Sequence, residues 1–239
     1  MGFKSIGSRS LGSQNNWSQL PTNLPPPLPS NSSLLLKFEG VNNSTTIVDS
    51  SVNAISVTRL GNPVISTIKS KFGGSSLFLP GSAAILVADT PALEFLTNDF
   101  TIEFWQDLTT SNTYIIGKGD AATAAGSCIS WSYPLGCAFY CNNGSRTLVL
   151  PTPAPSSSGT FQHIAITRQS TSLRYFVNGV LTSSLSILAT DSINNVTNPL
   201  QIGAYGPGSI VGYLDEFAID IGFARYTANF TPPTSSRTS

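Results

Sequence analysis

Residues 99–105 read Asp-Phe-Thr-Ile-Glu-Phe-Trp, and apolar and mixed positions alternate through them. Phe100, Ile102 and Phe104 fall on one face, and Thr101, Glu103 and Trp105 on the other, which is the two-residue period of a strand. The pattern predicts one face in a core, with Trp105 packed under a loop on the mixed face. Residues 161–168 alternate in the same way. Residues 173–177 then run into Asn178-Gly179 and Val180-Leu181; Asn-Gly between two such runs predicts a tight hairpin. Residues 212–222 form a dense apolar run bracketed by Gly212 and Gly222, which predicts a strand covered on both faces, in the middle of a two-layer β structure.

Shorter strands are predicted at 34–40, 84–88 and 200–204, and a single helical turn over 91–96. Asp49-Ser50-Ser51 and Gly61-Asn62-Pro63 are turn signals. Many short strands without a long helical pattern argue for an all-β sandwich. Residues 1–33 differ. Leu24-Pro25-Pro26-Pro27-Leu28-Pro29 favours an extended polyproline conformation, and Phe3, Ile6, Leu11, Trp17 and Leu20 are scattered through a Ser/Asn/Gly background. Alone, such a segment buries too little to order itself. It reads as a disordered leader or as an arm that docks its apolar residues on a neighbouring subunit. The domain is expected over 34–233, with a short tail at 234–239.

The Gly-Tyr-Leu-Asp-Glu of 212–216, followed by Ala-Arg-Tyr-Thr-Ala-Asn-Phe-Thr-Pro-Pro at 224–233, resembles the end of laminin-G-like, concanavalin-A-like jelly-roll domains. It is most similar to the form of that domain found in bacteriophage virion proteins. Further motifs occur in the same order: Phe-Gly-Gly-Ser-Ser-Leu at 72–77, the strand 99–105, His-x-Ala-x-Thr-Arg at 163–168 and Phe-Val-Asn-Gly-Val at 176–180. The resemblance implies a two-sheet antiparallel jelly-roll sandwich with an extended N-terminal arm. It also implies a non-enzymatic virion structural protein: an exposed module, multi-copy or homo-oligomeric, anchored by its arm to other virion proteins of the head, tail or fibre. The alternative is a carbohydrate-binding adhesin for a host surface glycan.

Composition narrows the partners. Charged residues are 10% of the chain, 12 basic against 12 acidic, so no basic patch for nucleic acid is expected. Lys4 is followed by no apolar stretch of a secretory signal, and no apolar run approaches the ~20 residues of a membrane span. Cys128, Cys137 and Cys141 flank a four-residue turn at 133–136. Pairing Ser132 with Cys137 would set Cys128 opposite Cys141, in register for a disulfide. The other reading is three reduced thiols acting as small hydrophobes, as expected of a chain without a secretion signal.

Candidate chemistry is sparse. Concanavalin-like glycosidases align carboxylates as Glu-x-Asp-x-Glu on one strand, to act as acid and as base or nucleophile. Here Glu216-Phe217-Ala218-Ile219-Asp220 puts Ala218 in the middle place, so no catalytic residues are expected. His163, the single histidine, reads as structural, and Gly117-Lys118-Gly119 lacks the frame of a phosphate loop. No cofactor is expected beyond a possible structural calcium. Calcium takes oxygen ligands, and the resemblance offers Glu39, Asp49 and Asp215, with Asp89 and Asp120 behind them. For a glycan, Tyr114, Trp131, Tyr133, Tyr140 and Tyr205 are the aromatic candidates in or near loops, to stack on sugar faces.

Overall fold

The structure, a computed structural model, describes residues 1–2, 32–109, 113–120, 122–153, 159–205 and 208–238. Phe3, Ile6, Leu11, Trp17 and Leu20, the expected arm residues, lie outside the described residues. Strands β1 (Leu34–Leu36), β2 (Val57–Leu60), β3 (Val64–Ser66), β4 (Ser76–Pro80) and β5 (Ala84–Val87) come first. A single 3₁₀ turn, Pro91–Leu93, follows. Pro91 opens it with its fixed φ, and the Thr90 hydroxyl accepts the Ala92 N–H at 3.4 Å. It stops short of the expected 96 because Glu94 returns to extended backbone.

The remaining strands are β6 (Phe100–Leu108), β7 (Thr113–Gly119), β8 (Ser127–Tyr133), β9 (Gly136–Cys141), β10 (Arg146–Leu150) and β11 (Gln162–Gln169). After them come β12 (Ser172–Val177), β13 (Val180–Ser186), β14 (Leu200–Ile202), β15 (Ala204–Tyr205), β16 (Gly208–Ser209) and β17 (Val211–Ile221). An eight-stranded sheet runs β13-β12-β11-β6-β17-β4-β3, with β1 also paired to β17. A seven-stranded sheet runs β10-β9-β8-β7-β14-β5-β2. The fold is thus the expected all-β, two-sheet antiparallel sandwich. Among the described residues no helix is long and apolar enough to cross a membrane.

The core lies between the sheets. Phe100, Ile102 and Phe104 point into it from β6, and Ile129, Trp131 and Phe139 meet them from the other sheet, all fully buried. Phe104 stacks on Phe217 at 5.5 Å and touches Trp131 at 5.4 Å between ring centroids. Burial of each such side chain contributes about 1.5–3 kcal/mol before chain entropy is counted. In β17 a bulge between Asp215 and Ala218 inserts one extra residue against β6. Glu216 sits there with φ 50°. Leu214 and Phe217 can therefore both face the core, while Asp215 and Glu216 both turn outward.

The Asn178-Gly179 hairpin forms as expected, both residues having positive φ. Gly179 serves a second purpose: a Cβ there would lie 1.9 Å from the Phe230 carbonyl oxygen. That close approach seats the C-terminal segment, whose Phe230 N–H donates to Gly179 O at 2.9 Å. The segment crosses the outer face of the eight-stranded sheet. Tyr226 and Phe230 stack at 3.5 Å and cover Ala165 and Phe176. The Thr167 hydroxyl donates to Tyr226 O at 2.8 Å.

Residues past Pro233 pack as well. Arg237 is 7% exposed, donates its N–H to Glu216 at 3.0 Å, and reaches Asp220 at 2.7 Å and Glu103 at 3.1 Å. Arg225 joins Asp220 at 2.7 Å, and His163 lies 3.1 Å from Glu103. Trp105 is covered, as expected, by Phe72 edge-on and by Lys71 with Nζ 3.9 Å from its ring centre.

Candidate carbohydrate-contacting face

Strand alternation divides the five aromatic candidates. Trp131 and Tyr133 occupy the inward positions of β8, with Ser130 and Ser132 on the opposite face. Trp131 is fully buried against Phe104, Tyr133 and Tyr175. The Tyr133 hydroxyl donates to Gln106 Oε1 and accepts from the Tyr175 hydroxyl, both at 3.3 Å. Trp131 and Tyr133 are core residues and present nothing to a ligand. The signal was readable: the Ile-Ser-Trp-Ser-Tyr alternation of 129–133 sends all its large residues one way.

Tyr114, Tyr140 and Tyr205 meet on the outer face of the seven-stranded sheet. Tyr140 alternates outward from buried Phe139 and Cys141 on β9. Tyr114 faces the same way from β7, opposite Ser132. Tyr205 comes from the small β15-β16 hairpin and lays its ring on Gly117; a Cβ there would fall 2.0 Å from that ring. Gly117 is therefore a seat for an aromatic ring. Tyr114 and Tyr205 pack edge-to-face at 6.0 Å. Tyr205 is buried, whereas Tyr114 and Tyr140 are half-buried. Burial first, and then the nearby Tyr114, push the Tyr140 phenol above its usual range, with the Ser130 hydroxyl acting against them. The rings stand among small, uncharged side chains, with Ser130 paired to Ala138 across β8 and β9. Flanking rings with hydroxyl partners can stack on a sugar face and bond its hydroxyls.

The carboxylate candidates are occupied elsewhere. The two Asp49 oxygens accept backbone N–H groups from Leu35 (3.0 Å), Ser51 (2.9 Å) and Ile55 (2.8 Å), so Asp49 organises a turn. Asp215 accepts N–H groups from Lys71 (2.7 Å), Phe72 (3.2 Å) and Glu216 (2.9 Å). Burial outweighs those donors and pushes its carboxyl up to about 7. Glu39 is exposed and takes the Ser75 hydroxyl at 3.2 Å. Asp89 pairs with buried Lys118 at 2.6 Å, and Asp120 caps its own turn. Donor N–H groups aimed at Asp49 and Asp215 do not fit a cation at those oxygens. Among the described residues no group of three or more His, Cys, Asp or Glu could hold a metal ion.

Glu216 and Asp220 do share an outward face, but the C-terminal segment covers both, with Arg237 bonded to each. His163 is buried beside Glu103, edge-on to Trp105 and Tyr226. The three cysteines are free and buried. The β8-β9 ladder runs one residue away from the disulfide register: Gly136 pairs with Ser132 and Cys137 with Trp131. The turn is one residue shorter than the four expected at 133–136.

A laminin G-type family model, described as the concanavalin A-like lectin/glucanases superfamily, matches residues 80–220, more than half of the chain. The chain belongs to the concanavalin A-like lectin/glucanases superfamily. That superfamily holds both sugar binders and sugar cleavers by name, so the site must separate them. No curated protein matches the sequence.

Among solved structures, the chain is similar to the binding domain of Paraclostridial Mosquitocidal Protein 1, with TM-score 0.63 and 21% identity over 81% of this chain and 49% of that one. It is also similar to the binding domain of botulinum neurotoxin DC in complex with SialylT, with TM-score 0.60 and 16% identity over 83% and 49%. A third is the botulinum neurotoxin serotype D ligand binding domain in complex with N-acetylneuraminic acid, with TM-score 0.59 and 16% identity over 84% and 49%. At these identities the likeness is one of fold. The chain spans about half the length of each of these structures.

Proposed function

We propose that this chain is a non-catalytic carbohydrate-binding module, and that it contacts glycan through the outer face of its seven-stranded sheet. The observation that carries the reading is the convergence of Tyr114, Tyr140 and Tyr205 over Gly117 and Ser130. Two fold relatives crystallised with SialylT and N-acetylneuraminic acid support it at the level of fold. Lectin rather than glucanase is the favoured half of the superfamily, because Glu216 and Asp220 are held by Arg237 under the C-terminal segment, where the cavity beside Glu216 is only about 10 Å³. No structural calcium is invoked.

For context, we favour a bacteriophage particle, with the proline-rich 1–33 as the tether to other virion proteins and the sandwich as an exposed module. The phage-like order of motifs supports this reading. A glycan array probed with the full chain, Tyr140→Ala and Tyr114→Ala tests the binding. Retained binding in both variants, or a silent array, overturns the face. Deleting residues 3–31 tests the tether: incorporation into particles should be lost, and normal incorporation removes the tether from the reading.

A further inference from the structure

A second site lies at one end of the sandwich. Beyond β9 the turn at Asn142 and Asn143 meets the segment 192–195 and the β7-β8 loop around a cleft of about 230 Å³. Leu96, Ala125 and Ile193 line it as apolar residues. The rest of the lining is amide and hydroxyl, with no charged side chain. The frame is rigid. The Asn194 carboxamide accepts the Asn143 N–H at 2.8 Å and donates to Ala124 O and Ser127 O, both at 2.9 Å. Asn142 Oδ1 accepts the Ser192 N–H at 3.1 Å, and the Asn194 N–H donates to Tyr140 O at 2.8 Å. Three non-glycine residues around this one cleft hold positive φ: Leu96 at 45°, Asn142 at 53° and Asn143 at 56°. The left-handed region is unfavourable for Leu96 above all, and such conformations persist only where the surroundings impose them.

Among the described residues, no protein partner reaches the Asn142 Nδ2 amide, the Asn143 side-chain amide, the Ser192 hydroxyl or Asn195 Oδ1. Asn195 Nδ2 is committed to Glu94 Oε1 at 2.8 Å. The open groups thus include both donors and acceptors, beside the apolar Leu96, Ala125 and Ile193. A sugar hydroxyl is both donor and acceptor, and its ring carries an apolar C–H face, so the lining matches it on both counts. Glu94 at the rim disfavours an anion. The volume is below the roughly 300–1,000 Å³ of a drug-sized pocket, which suits one ring.

We propose that this asparagine-lined cleft binds a single uncharged saccharide ring, at a chain end or branch. The proposal shares with the tyrosine face the premise that the module takes saccharide, but it uses different residues. One ring held this way should bind with Kd of about 1 mM.

The test titrates the isotope-labelled full chain with methyl glycosides of neutral hexoses, and separately with N-acetylneuraminic acid, following side-chain amide resonances. At least one neutral glycoside should shift the Asn142, Asn143 and Asn195 amides. Asn143→Gly keeps the left-handed turn while removing the amide, and should weaken binding about fivefold. Ala125→Phe fills the cleft without removing a hydrogen bond and should abolish it. Tyr140→Ala should leave it intact. Shifts for none of the neutral glycosides, equal affinity in Ala125→Phe, or a preference for the acidic sugar overturns the proposal. If glycan binds through the tyrosines and the cleft resonances stay still, only this inference fails. If the cleft responds and the array is unaffected by the tyrosine variants, only the tyrosine face fails.

Discussion

The two outer faces of the sandwich are built by the same alternation and end in opposite states. On the eight-stranded sheet, outward Glu103 and Asp220 meet Arg225 and Arg237 beneath residues 223–238, all of them buried. On the seven-stranded sheet, outward Tyr114, Tyr140 and Ser130 stay partly open. With only 12 basic and 12 acidic residues in the chain, concentrating charge under the C-terminal segment leaves the other face neutral. Buried charge demands fixed partners and a cover, which closes a surface to ligands; hydroxyls and aromatic rings do not. The contrast supports the proposal that recognition uses the seven-stranded face.

The largest expected effect comes from opening the closed face. Arg237→Ala leaves Glu103 and Asp220 short of a guanidinium and should cost about 3–5 kcal/mol in urea unfolding. A cost within the ±0.5 kcal/mol typical of a surface position would mean that residues past Pro233 are not part of the fold. Trp131→Ala should cost as much, about 3–5 kcal/mol, because it empties the core and not a binding face. In contrast, Tyr140→Ala should lower stability by less than about 1.5 kcal/mol while removing glycan binding at the tyrosine face. A large stability loss with binding intact would reverse the roles of the two residues.

Next in size is a pH dependence with two arms of opposite sign. Burial acts to raise Glu103, but Arg237, His163 and Arg225 outweigh it and hold the carboxyl well below its ordinary 4.5. Its contribution is therefore present above pH 4.5 and is lost as pH falls below that. Asp215 is raised by burial from 3.8 to about 7, so its contribution is full below 3.8 and is lost as pH rises through about 7. Stability should peak on the acid side of neutrality. Asp215→Asn should flatten the arm between the two Asp215 values and leave the acid arm; an unchanged profile would remove Asp215 from this account.

The smallest expected effect is none: burial pushes Cys128 up to about 12 and Cys141 up to about 11, so a thiol reagent should leave the native chain unmodified. Rapid labelling would show that the β8-β9 pair opens.

Much of this was legible along the chain. The Phe100, Ile102 and Phe104 stripe, the Asn178-Gly179 hairpin and the long strand at 212–222, observed as Val211–Ile221, follow from local patterns of period two and from turn chemistry. Those signals depend only on a residue's immediate neighbours. The candidate site was half legible. Alternation in 129–133 separates Trp131 and Tyr133 from the surface, but nothing near Tyr205 indicates that its ring rests on Gly117, 88 positions earlier. The cleft depends on contacts of the same kind, since Asn194 holds the chain at 124–127 and at 143.

What the residues determined unaided was the layer architecture, because a strand's two faces are written in consecutive positions. What only the tertiary structure decided was which outward face is covered. That depended on where residues 223–238 come to rest, and on a β17 bulge that turns Asp215 and Glu216 outward together. Both arise from long-range packing, in which a segment's position is set by partners more than 100 residues away, as when Arg225 N–H bonds Thr101 Oγ1 across 124 positions.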